Sequence, residues 1–530
     1  MKYRKQLITL YTGFKISVAT LFLCGCDFGD INQDPTKSTD MDPNLLLPTI
    51  QMYLSNDSQE WHRHMIYPGG FVQQWCGDWG TVEYGCLGIK NDSYMAELWL
   101  RRYTRLSKNL ADIVERTEKD QSLSNINAIG RIMRVFVFHQ LTDMYGDIPY
   151  FNAGYGYFTG ILKPTYDTQE KIYNDFFLQL ERAFQQLDTD GDAIMYDHFF
   201  DGDISKWKKF SNSLRLRLAM RLVNVNPEKA KQEAEIAIKN GVMTSNDDIC
   251  MIKHEDQANP SSGPGRGNGL SNRFRTDRTY RYTSKLIEYM ESTGDPRITI
   301  YGGCYLDNRD YTDITAQIYE LKRSYTKMAR PTARFDWEQN PEDIQLTIDG
   351  KEVTVAGKYQ YLQPSKWFMA FDAPYVHMSY SEVELLLAEA KLRGWDVPQT
   401  IEYHYERALQ ASIEYLTVYG APLVSTDIIA GFIMQNNLIR GKEMEQINMQ
   451  HWVGNVLNPF ESFANWRRTG IPEIKFLNYN PSSNQSEGKT PRRLLYPVEE
   501  QVKNGENYYE AILRVSGYDW IVGVWWDVLN

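Results

Sequence analysis

The residues with the plainest chemistry stand at the start of the chain. Leu23-Cys24-Gly25-Cys26 ends an apolar stretch, Ile16–Leu23, that follows a basic opening with Lys2, Arg4 and Lys5. A basic segment, a short apolar core and a small residue before the cleavage point describe a secretory signal. The apolar core is far shorter than the roughly 20 residues a helix needs to span a bilayer. A cysteine directly after the small residue turns the signal into a bacterial lipobox. Cleavage then falls between Gly25 and Cys26, and the Cys26 thiol takes up lipid. Several acyl chains would hold the protein to a membrane it does not cross, since each buried CH₂ adds about 0.8 kcal/mol. The plainer alternative is a secreted protein with a chance cysteine at its cleavage site.

Two later segments carry residue types suited to binding. A sugar platform needs flat aromatic faces with hydrogen-bonding side chains beside them. Phe71–Tyr84 (FVQQWCGDWGTVEY) sets Trp75, Trp79 and Tyr84 among Gln73, Gln74, Asp78 and Glu83, with neither helical nor strand periodicity. The second segment holds Tyr305, Asp307, Asn308, Tyr311, Phe335, Asp336 and Trp337. The alternative for both is ordinary packing, in a core or against a partner. Cys76 and Cys86 bracket most of the first segment. Exported proteins form disulfides, but a bridge depends on a Cα separation the sequence does not give, so that pairing stays open.

Metal and catalytic chemistry find little support. Asp188-Thr189-Asp190-Gly191-Asp192 begins like an EF-hand, yet Gly falls at the fourth position and Phe199 stands where the closing Glu belongs. A solvated turn is expected instead. His62 and His64 would point to different faces of a helix. There is no CxxC motif. No metal site and no cofactor are expected. Glu499 and Glu500 could in principle hydrolyse a glycoside, which requires two carboxyls facing each other across a cleft. Among 68 acidic residues, adjacency in sequence carries no weight. With no GxSxG and no HExxH, no catalytic residue is assigned.

These residues must be positioned by a scaffold that reads as mostly α. Helical spacing runs through Tyr94–Thr117, Ser124–Met144, Thr168–Leu187, Asp203–Val223 and Glu228–Lys239, with Gly and Pro stops between them. Ser381–Leu392 and Thr400–Tyr419 form the clearest pair. Ala388, Ala390, Ala408 and Ala411 allow close contact, as in a tetratricopeptide hairpin. Between about residues 256 and 375 the pattern turns loop-rich, with a hairpin signal at Asp349-Gly350. Length alone suggests several domains. The pattern suggests one helical scaffold with irregular insertions, behind residues 1–25 as signal and 26–40 as lipidated cysteine and tether. The net charge of -11 argues against nucleic acid as a partner. Aromatics make up 13% of the chain, enough to serve both core and ligand.

Six segments in order resemble one family. They are Phe28–Pro35, Leu141–Tyr150 (LTDMYGDIPY) and Trp207–Phe210 with Leu214, Arg215 and Arg217. Then come Ser381-Glu382 with Ala388-Glu389-Ala390, and Trp466-Arg467-Arg468-Thr469-Gly470 with Pro472. The last is Arg492/Arg493 with Tyr496-Pro497, Glu499/Glu500 and Asn504. Together they resemble the SusD/RagB outer-membrane lipoproteins across nearly the whole chain. The resemblance implies one SusD-like domain over 41–530, with tetratricopeptide-like hairpins against a variable ligand-binding half. It also implies a cell-surface protein that binds a glycan, or a peptide, and delivers it to a SusC-type TonB-dependent transporter. A surface glycoside hydrolase is the rival from another class. The Trp466 segment implies structure, not catalysis. Arg467 and Arg468 need carboxylates if buried, and Glu382, Glu384 and Glu389 are candidates.

Overall fold

The computed structural model describes residues 41–77, 81–277, 280–303, 305–307, 318–320, 342–348, 350–355, 362–475 and 482–528. Cys26 and the signal lie outside them. The chain divides into Met1–Asp42 and a compact unit, Pro43–Asn530, to which every element below belongs.

The helices are α1 (Leu46–Met52), α2 (Asp92–Arg102), α3 (Lys108–Thr117), α4 (Ser124–Tyr145), α5 (Gln169–Gln186), α6 (Ile204–Arg221) and α7 (Pro227–Asn240). After them come α8 (Gly269–Asp277), α9 (Ser284–Ser292), α10 (Tyr380–Leu392), α11 (Ile401–Glu414), α12 (Thr426–Gln435), α13 (Glu443–Gly454), α14 (Pro459–Thr469) and α15 (Gly505–Leu513). Neighbours in sequence pack as hairpins: α3 with α4, α4 with α5, α6 with α7, and α10 with α11. Local chemistry fixes the ends. Asp203 accepts from the amides of Ser205 and Lys206, and Ser379 from that of Glu382. Asn226 precedes Pro227 at the first helical position of α7. Each side-chain oxygen satisfies an amide that the helix leaves unpaired. Gly470, at φ 74°, ends α14 in the left-handed region.

The acidic run at Asp188–Asp192 belongs to this chemistry. Asp192 accepts from the amides of Asn125 (2.6 Å) and Ile126 (3.1 Å), so it caps α4 from another part of the chain. A carboxylate at a helix N-terminus also meets the positive end of the dipole. The expected turn is there, and its last acid has a structural task.

Strands are short and paired in twos. They are β1 (Trp75–Cys76), β2 (Cys250–Ile252), β3 (Arg281–Tyr282), β4 (Gly302–Gly303), β5 (Tyr305–Asp307), β6 (Ile318–Glu320), β7 (Ile344–Ile348), β8 (Lys351–Val355), β9 (Gln363–Pro364) and β10 (Tyr375–Met378). β7 and β8 form the hairpin expected around Asp349-Gly350, with Leu346 opposite Val353. β1 pairs with β3, and β4 with β9.

Helix α4 is buried on every side from Asn125 to Tyr145. Buried charge ties α6 to α4, α10 and α14. Arg217 on α6 grips Glu382 on α10 through two hydrogen bonds of 2.7 and 2.8 Å. Arg221 donates to Glu461 on α14 and, at 3.3 Å, to Asp143 on α4. Trp526 Nε1 donates to the same Asp143 at 2.9 Å. Burial alone would raise the Glu461 carboxyl, but the guanidiniums of Arg217 and Arg221 hold it well below the usual carboxylate range.

The three candidate acids divide. Glu389 takes Arg468 (Nη2 to Oε2, 2.7 Å), Glu382 takes Arg217, and Glu384 takes His404 Nδ1 at 2.6 Å. Arg467 donates instead to the backbone carbonyls of Asp143 and Arg492 at 2.6 and 2.9 Å. Its guanidinium lies 4.2 Å from the Phe463 ring centre and 4.6 Å from that of Trp526. Carbonyl dipoles and π-faces thus stand in for a carboxylate.

Two outcomes are expected. Arg217→Met leaves Glu382 buried without its partner and should cost about 3–5 kcal/mol in urea unfolding. The double change Arg217→Met with Glu382→Leu should recover most of that loss, and a near-neutral single variant would contradict the network's role. The second concerns acid. Burial alone would raise Glu389, but Arg468 and Arg393 lower it from 4.5 to about 2. The unfolded chain therefore binds the proton first. The contribution is complete above pH 4.5 and lost as the pH falls to about 2. It amounts to about 3 kcal/mol. In Glu389→Gln the dependence of stability on pH should flatten across that window, whereas an unchanged slope would contradict the pairing.

Candidate ligand-binding face

The two segments singled out in the sequence follow strands of two ribbons that a hydrogen bond links. Tyr282 in β3 donates its amide to Leu362 O at 3.2 Å, immediately before β9. That bond joins the β1–β3 ribbon to the β4–β9 ribbon. From β1 the chain runs on to Asp78 and Trp79, and from β4 to Tyr305 and Asn308. Residues more than 200 apart in sequence thus share one small ladder, with Trp75 opposite Tyr282 and Cys76 opposite Arg281.

Trp75 itself belongs to the core. Its side chain is fully buried, Nε1 donates to Val456 O at 2.8 Å, and its ring packs on Phe274 and Tyr282. A ring with both faces covered cannot stack on a sugar, so the packing alternative replaces the platform expectation for this residue. Gln74 is likewise spent on the frame, donating to Trp452 O and Ser462 Oγ. Tyr84 remains half-exposed and meets Tyr94 edge-on at 5.2 Å. Asp78, Trp79, Asn308 and Trp337 lie outside the described residues. Tyr305 stands in β5, paired with β6, and its side chain also lies outside them.

The structure adds residues the sequence did not single out. Tyr94 continues from Tyr84 to His62 (4.5 Å), all three half-exposed, and behind them to the buried rings of Trp61 (5.8 Å) and, from Trp61, Tyr280 (6.2 Å). The Arg273 guanidinium lies 4.3 Å from the Trp61 ring centre. This aromatic wall is mounted on a π-helical turn, His62–Gly69, and on α2, which Asn91 caps through the Tyr94 amide. His62 is held near pKa 3, first by burial and then by Arg273 and Arg63. At neutral pH it is uncharged, and it offers a flat ring without cationic charge. As expected, the two histidines part ways. His64 turns inward, to Glu60 at 2.6 Å and to the Tyr375 hydroxyl.

The turn 81–86 is pressed onto this wall through glycine. A Cβ on Gly85 would lie 1.6 Å from Ile66 O, and the nearest atom to a Cβ on Gly70 would be the Gly85 Cα at 3.1 Å. Only bare backbone allows that approach. Tyr67 secures the other side, donating to Ile89 O at 3.1 Å and accepting from the Asn91 amide at 2.8 Å.

Other candidate chemistry resolves into structure. A cleft of about 830 Å³ is lined by Trp466, Lys475, Lys489, Arg492 and Asp527 among others. Its Trp466 ring is covered by the Arg492 guanidinium at 5.1 Å, and Arg492 is clamped by Asp527. Glu499 and Glu500 take different partners, Lys503 and the Tyr166 hydroxyl. Among the described residues no group of three or more His, Cys, Asp or Glu side chains is placed to hold a metal, and no helix is long and apolar enough to cross a membrane.

Residues 35–497 match the SusD-like family described as starch-binding, associating with outer membrane. No curated protein matches the chain. Among solved structures, one titled a chitin-binding protein is 38% identical, with a TM-score of 0.78, over 92% of this chain and 100% of its own. A Bacteroidetes SusD-like protein is 29% identical over 92% of this chain and 100% of its own, with a TM-score of 0.83. A chitin-binding SusD homologue from Flavobacterium johnsoniae shares the fold at 21% identity, with a TM-score of 0.69, over 92% and 98% of the two chains. Mostly helical and built from tetratricopeptide-like hairpins, the chain belongs to the SusD-like family.

Proposed function

We propose that this protein is a cell-surface lipoprotein, anchored through Cys26, that captures oligomers of N-acetylglucosamine and passes them to a SusC-type TonB-dependent transporter in the outer membrane. The observation that carries the ligand class is the 38% identity to a chitin-binding protein along the whole of that protein's length. The face fits such a ligand. A pyranose ring offers an apolar face to aromatic side chains, and its hydroxyl and acetamido groups need hydrogen-bonding partners. Tyr84, Tyr94 and His62 supply adjoining aromatic rings. Asp78, Trp79, Tyr305, Asn308 and Trp337 are the residues assigned to the ligand itself. No bond is broken, since delivery needs only capture and release. The transporter assignment rests on the family's outer-membrane association.

The binding test is calorimetry on the form that starts after Cys26, with N-acetylglucosamine oligomers, starch oligomers and peptides. Trp79→Ala and Trp337→Ala should each weaken binding about tenfold, the loss of one stacked aromatic, with unfolding unchanged. Trp75→Ala should do the reverse in kind, lowering stability by about 3–5 kcal/mol as a core cavity opens. Binding of peptides with silence toward every glycan would overturn the ligand class.

The anchor has its own readout. Cys26→Ser should move the exported protein from the membrane fraction to the soluble fraction. Retention on the membrane would contradict lipidation at Cys26.

A further inference from the structure

We propose that Cys76 and Cys86 are joined by a disulfide in the exported protein, closing the segment that carries Asp78, Trp79 and Tyr84 into a covalent loop. The two side chains pack against each other and against Leu87, at 3% and 5% exposure. In this structure both are free thiols, and the Cys86 Sγ donates at 3.5 Å to the carbonyl oxygen of Trp75, the residue directly before Cys76. Independent contacts fix both ends. Cys76 is held in register opposite Arg281, with its sulfur 3.8 Å from Tyr282 O. Cys86 follows Gly85, whose backbone is pressed on Ile66 O. A ladder holds one cysteine in place and a glycine contact the other, so the adjacent pair has little freedom to separate. Cys250 sits in a different ribbon, opposite Met378.

The chemistry sets the order of events. In the folded protein burial pushes the Cys86 thiol well up, and Cys76 adds to the shift. A thiol so held is a poor nucleophile. Oxidation therefore precedes closure of the turn, while both sulfurs meet solvent. One cysteine thiolate attacks the disulfide of an oxidising thiol–disulfide oxidoreductase, forming a mixed disulfide and expelling the enzyme's second sulfur as thiolate. The other cysteine, as thiolate, then attacks the mixed disulfide and releases the enzyme's first sulfur. Two electrons pass to the enzyme, which leaves as a dithiol, and the two cysteines lose their protons. Folding then buries the bridge away from reductant. A loop closed in advance loses less freedom when ligand binds, so the bridge prepares the segment assigned to the ligand. The inference rests on export of the chain and not on which ligand it takes.

The test is a thiol map of the full chain, exported through its own signal and isolated without reductant. The protein is alkylated in denaturant and digested with trypsin and a Glu-specific protease, which can cut at Glu83 between the two cysteines. The expected result is a bridged pair of peptides holding Cys76 and Cys86, with Cys250 and Cys304 alkylated. Alkylation of both Cys76 and Cys86, or a bridge from either to Cys250 or Cys304, would overturn the proposal. A second measurement reads the constraint. Native cleavage at Glu83 should be several-fold faster in the Cys76→Ser, Cys86→Ser double variant, and an equal rate would contradict a bridge that holds the loop. Neither readout needs a ligand, so failure of the glycan reading and failure of the bridge are separately visible.

Discussion

The constraint on which the rest depends is the burial of charge between α4, α6, α10 and α14. Arg217, Arg221, Asp143, Glu382 and Glu461 all sit inside the protein. Apolar packing tolerates a small slip of one helix along another. Buried charge does not, because an unpartnered ion in the interior costs about 3–5 kcal/mol. Bidentate pairing adds direction to that penalty, since the planar guanidinium of Arg217 meets both Glu382 oxygens in only one orientation. The hairpins supply the bulk of the hydrophobic burial. The ion network selects the one arrangement in which α14 lies where its Trp452- and Val456-side neighbours can receive the ladder.

From there the frame reaches the ligand-binding face. Ser462 on α14 and the carbonyls of Trp452 and Val456 receive Gln74 and Trp75, so β1 is anchored directly to the helical half. A second charged group lies under the π-helical turn. Asp57 accepts the cations of Arg63, Arg101 and Arg105, and Glu60 that of Arg63 together with a hydrogen bond from the buried His64 ring. Burial would raise both acids, yet these cations keep them low. The turn is therefore fixed from beneath, while Trp61 and His62 face Tyr94 and the backbone at Ile66 and Gly70 receives Gly85. On either side of Asp78 and Trp79 in the sequence, Cys76 is held by the ladder and Cys86 by the Gly85 contact.

Much of the helical half was legible because periodicity and caps are local. Asn226-Pro227, Ser379 and Gly470 mark helix ends that any reader of the chain can place, and Asp349-Gly350 marks its hairpin. The ion pairing was half legible. That Arg468 needs an acid follows from burial, and Glu389 was among its candidates, but Arg467's reliance on carbonyls and rings depends on three-dimensional neighbours. The face was least legible. Trp75 and Trp79 look alike in sequence, and only the pairing of β1 with β3, across more than 200 residues, puts Trp75 in the core. Trp61 was missed because the turn it leads into is π-helical and contains Pro68, so a 3.6-residue period does not run through it, and Tyr94 because a helical period does not say which ring the next segment will meet. Asp192 gave an acidic-loop signal whose meaning, a cap on α4, lies in another part of the chain.

The most direct test of the central claim is hydrogen–deuterium exchange with and without an N-acetylglucosamine oligomer. The account predicts added protection in 76–94 and 280–307, the segments carried by the ladder and the aromatic wall, and none in α6, α10 or the cleft beside Trp466. Protection confined to that cleft or to the hairpin surfaces, with the ladder unchanged, would contradict it.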